Sequence, residues 1–126
     1  MARISISNET RASIPRAIFR AIASAALPKA YKLNLIFVNP YKIAKLNKIY
    51  RNKSKPTDIL SFPLSKNEGE IYICPSEARE ESKKSNRSYA DFLAFLFIHG
   101  CVHLKGHDHG GTMERIEAKL RRKFRV

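Results

Sequence analysis

Apolar and polar residues alternate in some segments of the chain and recur at helical spacing in others. Alternation and short apolar runs predict strands at residues 3–7, 32–38, 58–63 and 70–74. Apolar residues three and four positions apart predict helices at 14–26, from 40 through 50, from 89 to about 105 and from 113 through 120. A further helix, charged and exposed, is predicted at 75–84. The resulting order is strand–helix–strand–helix–strand–strand and then helices. It predicts an α+β layer structure in which a sheet is backed by helices.

Polar residues between these segments indicate where the helices and strands end. Asn39 followed by Pro40 is typical of a helix N-cap and its first helical position. The N-caps predicted for the last two helices are Ser88 and Thr112. A basic loop is predicted at 51–57 and a polar turn at 66–69, so the third and fourth strands follow each other closely.

The composition is that of a globular protein. With 126 residues, 44% of them hydrophobic, the chain suits a single domain spanning 1–126. The longest apolar run, 92–98, is too short to cross a bilayer, and residues 1–11 lack the apolar stretch of a signal peptide. The two cysteines, Cys74 and Cys101, lie in different kinds of segment, which favours a reduced, cytoplasmic protein over one with a lone disulfide.

The charge of the chain is strongly unbalanced. Lysine and arginine number 24 against 11 aspartates and glutamates, which gives a net charge of +13. A small protein this cationic attracts polyanions, and nucleic acid is the commonest such partner. A membrane-surface role is disfavoured because no segment has the apolar face of an interfacial helix.

Four histidines lie within the eleven residues HGCVHLKGHDH, at positions 99–109. His99 and His103 are about 40° apart on one helix face, so both can reach a single ion. Gly106 ends the helix, and the following turn can bring His109 to the same ion. Three imidazoles with an open fourth position are typical of a catalytic zinc. His107 remains an alternative third ligand, whereas Cys101 is expected to face away and pack in the core.

The spacing H-x-x-x-H-x-x-G-x-x-H is that of the metzincin peptidases, with one difference. Those enzymes carry a glutamate directly after the first histidine, where it serves as the general base that activates water. Here that position is Gly100. The pattern therefore predicts a hydrolytic metal site that does not use the peptidase mechanism.

The histidine segment, the upstream stretch LNKIYRNKSKPTDILSFP (46–63) and the strand GEIYIC together resemble the YbeY family over residues 33–117. These are bacterial zinc-dependent endoribonucleases. The resemblance implies an α+β fold with a small mixed sheet of about four strands, surrounding helices and a zinc site in a cleft. It implies cleavage of single-stranded RNA in ribosomal RNA maturation, including the 3′ end of the small-subunit RNA, and ribosome quality control. The implied partners are ribosomal RNA and the ribosome or its proteins, with no membrane and no small-molecule ligand.

The same resemblance assigns roles to individual residues. His99, His103 and His109 correspond to the ligands of one zinc ion, and Arg51 matches a functionally important arginine of the family. A guanidinium can meet two oxygens of the phosphate in the transition state, although Arg51 also suits the end of a helix. Asp108 is a second catalytic candidate, either as an acceptor that orients an imidazole or as a cap for the turn. The chain departs from the family in having His107 where a tyrosine is usual and in being shorter than most relatives.

Two other functions remain open: a non-catalytic, zinc-stabilised RNA-binding assembly factor of the ribosome, and, less favoured, a peptidase.

Several further side chains have two interpretations as well. Three aromatic residues can either stack on unpaired bases or belong to the core: Tyr50, Phe62 and Tyr72. Basic residues that either follow an RNA backbone or are merely solvated are Lys53, Lys55, Lys83, Lys84, Arg87 and the segment 121–125. Asp58, at a strand entrance, is expected to be a structural cap.

Overall fold

The computed structural model describes residues 2–105 and 111–126, and within them one mixed sheet of four strands. The strands are β1 (Arg3–Asn8), β2 (Lys32–Phe37), β3 (Ile59–Ser65) and β4 (Glu68–Ile73). They lie in the order β1-β2-β4-β3, in which β1, β2 and β4 are parallel and β3 is antiparallel to β4. The prediction of a small mixed sheet is confirmed, and β3 forms one of its edges.

Five helices surround the sheet in the described part of the chain. They are α1 (Arg16–Ala26), α2 (Pro40–Arg51), α3 (Pro75–Lys84), α4 (Tyr89–Leu104) and α5 (Gly111–Phe124). Two predicted N-caps are confirmed, because the side chain of Asn39 accepts a hydrogen bond from the Lys42 amide at 2.8 Å and that of Ser88 accepts one from the Asp91 amide at 3.1 Å. In the described residues no helix is long and apolar enough to span a bilayer.

Alternate residues of the strands belong to two separate clusters of buried side chains, one on each face of the sheet. On the first face, Phe37 packs with Phe19 of α1 at a ring separation of 5.4 Å, and Phe19 packs with Phe97 of α4 at 5.1 Å. On the second face, Leu60 of β3 packs with Ile43 of α2. Each fully buried side chain of this size contributes about 1.5–3 kcal/mol. Helix α4 therefore lies on one face of the sheet and α2 on the other.

Three local predictions are wrong in detail. The predicted turn at 66–69 covers only residues 66 and 67, because β4 already begins at Glu68, where it pairs with both Ser65 and Lys32. Thr112 is not an N-cap, since α5 includes it. Arg51 belongs to the last turn of α2 and not to the basic loop; the helix ends at Asn52, which adopts a left-handed conformation with φ 56°.

Candidate metal centre

Helix α4 carries both of the described histidines on one face. Apolar residues surround most of this sixteen-residue helix, which is why it lies in the core. His99 and His103 are the exceptions, and both are only partly buried. Their ring centroids are 4.9 Å apart with planes at 70°. The predicted juxtaposition of these two imidazoles is thus present, one helical turn apart.

Gly100, the residue after the first histidine, faces the sheet. A Cβ atom at this position would lie 3.0 Å from Ser61 Oγ and 3.0 Å from the Cδ1 atoms of Ile59 and Ile71. The backbone of α4 approaches β3 and β4 so closely that a larger side chain would force its neighbours apart. A glutamate here would point at the sheet and away from His99. This packing explains why the position is glycine, and it gives the peptidase mechanism no general base.

Glu117 of α5 contacts the first histidine directly. Its Oε1 lies 2.5 Å from His99 Nδ1, and the side chain of Glu117 is 19% exposed against 41% for His99. Because the carboxylate engages Nδ1, the nitrogen of His99 that remains for a metal is Nε2. A carboxylate that holds the second nitrogen of a histidine is a common feature of metal sites, where it fixes the tautomer and the ring orientation.

Glu117 is not among the site residues predicted from the sequence. A signal for it is nevertheless present, because the apolar residues Met113 and Leu120, both buried in α5, lie four residues before and three residues after it. A glutamate between two core positions of a helix must find a partner for its charge. What the sequence alone does not give is that the partner is His99, eighteen residues earlier on another helix.

The structure places the remaining predicted site residues as follows. Arg51 is exposed at the end of α2, and no ion pair joins it to a carboxylate within residues 2–105 and 111–126. The predictions for His107, Asp108 and His109 concern residues that lie outside those described. Cys101 is fully buried, as predicted, and burial raises the pKa of its thiol.

The predicted basic residues differ in their surroundings. Lys83 and Lys84 pair with Glu80 and Glu81 at 3.5 and 3.3 Å, and the guanidinium of Arg87 lies 4.5 Å from the ring centroid of Phe95. These contacts are made within or next to α3 and α4. By contrast, the exposed Lys53 and Lys55 follow Arg51 on the loop between α2 and β3.

Asp58, at the end of that same loop, is largely buried beside the start of β3. Burial raises the pKa of its carboxyl, and the negative charge of Glu81 raises it further; hydrogen bonds from the backbone and from Thr57 act in the opposite direction. Its backbone carbonyl accepts a hydrogen bond from the Cys74 amide at 3.0 Å. Asp58 therefore lies at the junction of β3 with the end of β4, which suits the structural role expected for it.

The described side chains fit a zinc ion in part. Two nitrogens bound to one tetrahedral zinc at 2.0–2.1 Å lie about 3.3 Å apart, which two imidazoles one turn apart on a helix can satisfy. The Glu117 contact leaves Nε2 of His99 as the donor. Outside residues 106–110, no cluster of three metal-binding side chains occurs. The third ligand proposed from the sequence, His109, falls within that interval.

Comparison with known proteins identifies the family. The model of the family described as Endoribonuclease YbeY matches residues 2–124. The chain belongs to the YbeY family. That membership confirms the predicted enzyme class, a hydrolase that acts on RNA.

Individual YbeY relatives agree over different lengths. The Endoribonuclease YbeY of Sulfurimonas denitrificans is 33% identical over 130 residues, which cover 98% of this chain and 92% of the relative. That of Thermotoga maritima is 39% identical over 79 residues, and the match spans about half of that protein's length, 53%. A solution structure from Thermotoga maritima superposes with a TM-score of 0.67 at 27% identity, covering 99% of this chain and 92% of that one. The α+β fold is therefore shared over nearly the whole chain.

Proposed function

We propose that this chain is a zinc-dependent endoribonuclease that cleaves single-stranded RNA during ribosomal RNA maturation. Its proposed substrates include the 3′ end of the small-subunit RNA, and its proposed partners are the ribosome or ribosomal proteins. The same proposal places it in ribosome quality control and in the cytoplasm, and has residues 1–126 act as one domain. The observation that carries the proposal is the pair of imidazoles on α4, held at His99 by a carboxylate, in a chain of this family.

One zinc ion would be held by His99 and His103, with His109 as the proposed third ligand. When bound in such a site, zinc polarises a phosphoryl oxygen or lowers the pKa of a water molecule. Glu117 would hold the ring of His99 through Nδ1, which leaves Nε2 available to the ion. Asp108 remains a proposed acceptor for a second imidazole.

Arg51 is proposed to bind the scissile phosphate. A phosphodiester under attack gathers negative charge on its oxygens, and a guanidinium can donate to two of them at once. The guanidinium of Arg51 is exposed and forms no ion pair with a carboxylate of the described residues. A phosphate of RNA can therefore bind it without first breaking such an ion pair. Lys53 and Lys55 add positive charge beside it, and their contribution should weaken as salt increases.

Cleavage assays separate this function from the two alternatives. The purified protein is incubated with labelled single-stranded RNA and with casein, with and without a chelator. The nuclease predicts RNA cleavage that is lost with the chelator and in His99→Ala, and casein that stays intact. RNA binding without cleavage, resistant to the chelator, would instead establish the assembly factor. Casein cleavage would establish the peptidase, which the packing around Gly100 already disfavours.

A further inference from the structure

A small cavity with aromatic walls lies on the face of the sheet that α2 covers. Its volume is about 250 Å³, and its lining includes Leu46, Tyr50, Phe62, Leu64, Glu70 and Tyr72. The rings of Tyr50 and Phe62 are 4.8 Å apart, and those of Phe62 and Tyr72 are 5.9 Å apart. Three aromatic rings from one helix and two strands therefore surround one space.

The rim of this cavity exposes more apolar surface than the fold requires. Tyr50 is 63% exposed and Leu64 is 53% exposed, although both belong to regular elements that pack on a core. Single exposed apolar residues are ordinary, but a contiguous apolar patch around a concave site is typical of a binding surface. The size of the cavity suits one planar ring system rather than a larger ligand.

The polar groups around the cavity indicate which kind of planar ring system it can bind. Glu70 contributes a carboxylate, whose Oε1 accepts a hydrogen bond from the Tyr72 hydroxyl at 3.4 Å. The other oxygen can accept from an amino group on the edge of a bound ring. Two exposed cations, Lys53 and Lys55, follow Tyr50 along the chain and can bind phosphate. An aromatic wall, a hydrogen-bond acceptor and cations that follow along the chain together match a nucleotide, because it combines a π-face, polar edges and a negative charge.

We propose that this aromatic cavity binds an unpaired base of the RNA substrate, stacked against Tyr50 and Phe62. The RNA class of the ligand rests on the proposed function, whereas the site itself rests on the three rings and Glu70. Because the Glu70 carboxylate accepts hydrogen bonds, it favours bases that carry an exocyclic amino group. Adenine, cytosine and guanine are therefore expected to bind better than uracil.

The cavity and the helix that carries the histidines, α4, lie on opposite faces of the sheet. Phe62 and Ser61 are neighbours in β3, and neighbouring residues of a strand point to opposite faces. Ser61 Oγ lies 3.0 Å from where a Cβ atom of Gly100 would be, and Gly100 directly follows His99. On this proposal, a single strand would pass over the edge formed by β3, with one base in the cavity and a phosphate farther along presented to the histidines. A rigid duplex cannot bend in this way, which agrees with a single-stranded substrate.

Fluorescence offers a direct test because the chain contains no tryptophan. Tyr50→Trp introduces one fluorophore into the wall of the cavity. Tyr41→Trp, at an 80% exposed position of the same helix outside the cavity, is the matched control. The probes are 2′-O-methyl oligonucleotides of A, C or U, which resist cleavage, and an abasic oligomer of equal length. We expect the A and C oligomers to quench Tyr50→Trp more than the U oligomer does. The abasic oligomer should leave it unquenched, and Tyr41→Trp should respond to none of them.

Binding measurements with two further variants complete the test. Tyr50→Ala should weaken binding of the A oligomer about 5- to 150-fold, the loss expected for about one stacked base, and should leave binding of the abasic oligomer unchanged. Glu70→Gln should narrow the difference between the C and U oligomers. Equal quenching at positions 41 and 50, quenching by the abasic oligomer, or no response to any oligomer would overturn the proposal. The last result would point instead to a side chain of a protein partner.

The outcome is independent of whether the chain cleaves RNA. If the A and C oligomers quench the fluorescence of Tyr50→Trp but the wild-type protein leaves labelled RNA intact, the endonuclease function is wrong and the base site is supported. If the wild-type protein cleaves RNA while Tyr50→Ala binds and cleaves normally, the base site fails and the nuclease stands.

Discussion

Replacing Glu117 by glutamine tests whether the carboxylate on α5 positions the first histidine for a metal. The substitution keeps the shape of the side chain and one acceptor oxygen, but it removes the negative charge that faces His99 Nδ1 at 2.5 Å. Loss of such a carboxylate partner typically weakens metal binding 10- to 100-fold. Each factor of ten corresponds to about 1.4 kcal/mol, so the expected loss is about 1.4–2.7 kcal/mol of zinc-binding free energy.

The measurement is a zinc titration in competition with a chromophoric chelator, which reports affinity independently of RNA cleavage. Glu114→Gln is the matched control, because it removes the same charge from the same helix at an exposed position. A second readout is thermal unfolding with and without zinc in excess. The increase in unfolding temperature that zinc causes should be smaller in Glu117→Gln than in wild type, in line with the weaker zinc binding. In Glu114→Gln it should stay as large as in wild type.

Two results would refute this reasoning. If Glu117→Gln and Glu114→Gln bound zinc with the same affinity, the contact with His99 would have no role in the metal site. If Glu117→Gln lost stability to the same extent with and without zinc, the contact between Glu117 and His99 would serve only to attach α5 to α4. Either outcome would leave the histidines as the sole basis for predicting a metal.

Three further predictions concern other parts of the molecule. Arg51→Ala should reduce RNA cleavage about 100- to 1,000-fold, while zinc content and thermal stability stay at wild-type values. The control is Lys45→Ala, which removes an exposed charge from the same helix and should have little effect on cleavage. If both variants cleaved RNA equally well, Arg51 would have no catalytic role. Gly100→Leu should lower the free energy of unfolding by about 1–3 kcal/mol in urea, because its Cβ would already lie 3.0 Å from side chains of β3 and β4 and the rest of the side chain would have to displace them. An unchanged value would contradict the packing described. Asp58→Asn should increase stability relative to wild type more at pH 7 than at pH 3. The pKa of the Asp58 carboxyl is raised in the folded state, so its ionisation with increasing pH destabilises the wild-type fold. A gain in stability of Asp58→Asn that did not change with pH would contradict this reasoning.

The sequence predicts the elements of this fold because each leaves a local signal. Alternation and short apolar runs identify all four strands, and side-chain caps at Asn39 and Ser88 mark the starts of two helices to within a residue. The pair formed by His99 and His103 is equally local, since helical geometry alone places residues four apart on one face. These predictions needed no knowledge of tertiary contacts.

Contacts between distant segments leave no comparable signal. The insertion of β4 between β2 and β3 moves the start of β4 to Glu68, because pairing with Lys32 and Ser65 extends the strand into a polar segment. The same limitation hides the partner of Glu117, which comes from another helix. The aromatic cavity is intermediate: the sequence indicates its rings as candidates for stacking, but only the arrangement of α2, β3 and β4 brings Tyr50, Phe62 and Tyr72 together.

The proposed metal site depends on how α5 is attached to the core. Glu117 reaches His99 only because Met113 and Leu120 hold α5 against the buried cluster beside α4. Those two side chains together contribute about 3–6 kcal/mol of burial free energy to folding. Apolar packing therefore keeps Glu117 in place, and the carboxylate in turn orients the imidazole. A metal bound by His99 would favour the conformation in which α5 is packed, so zinc binding and the attachment of α5 should stabilise each other.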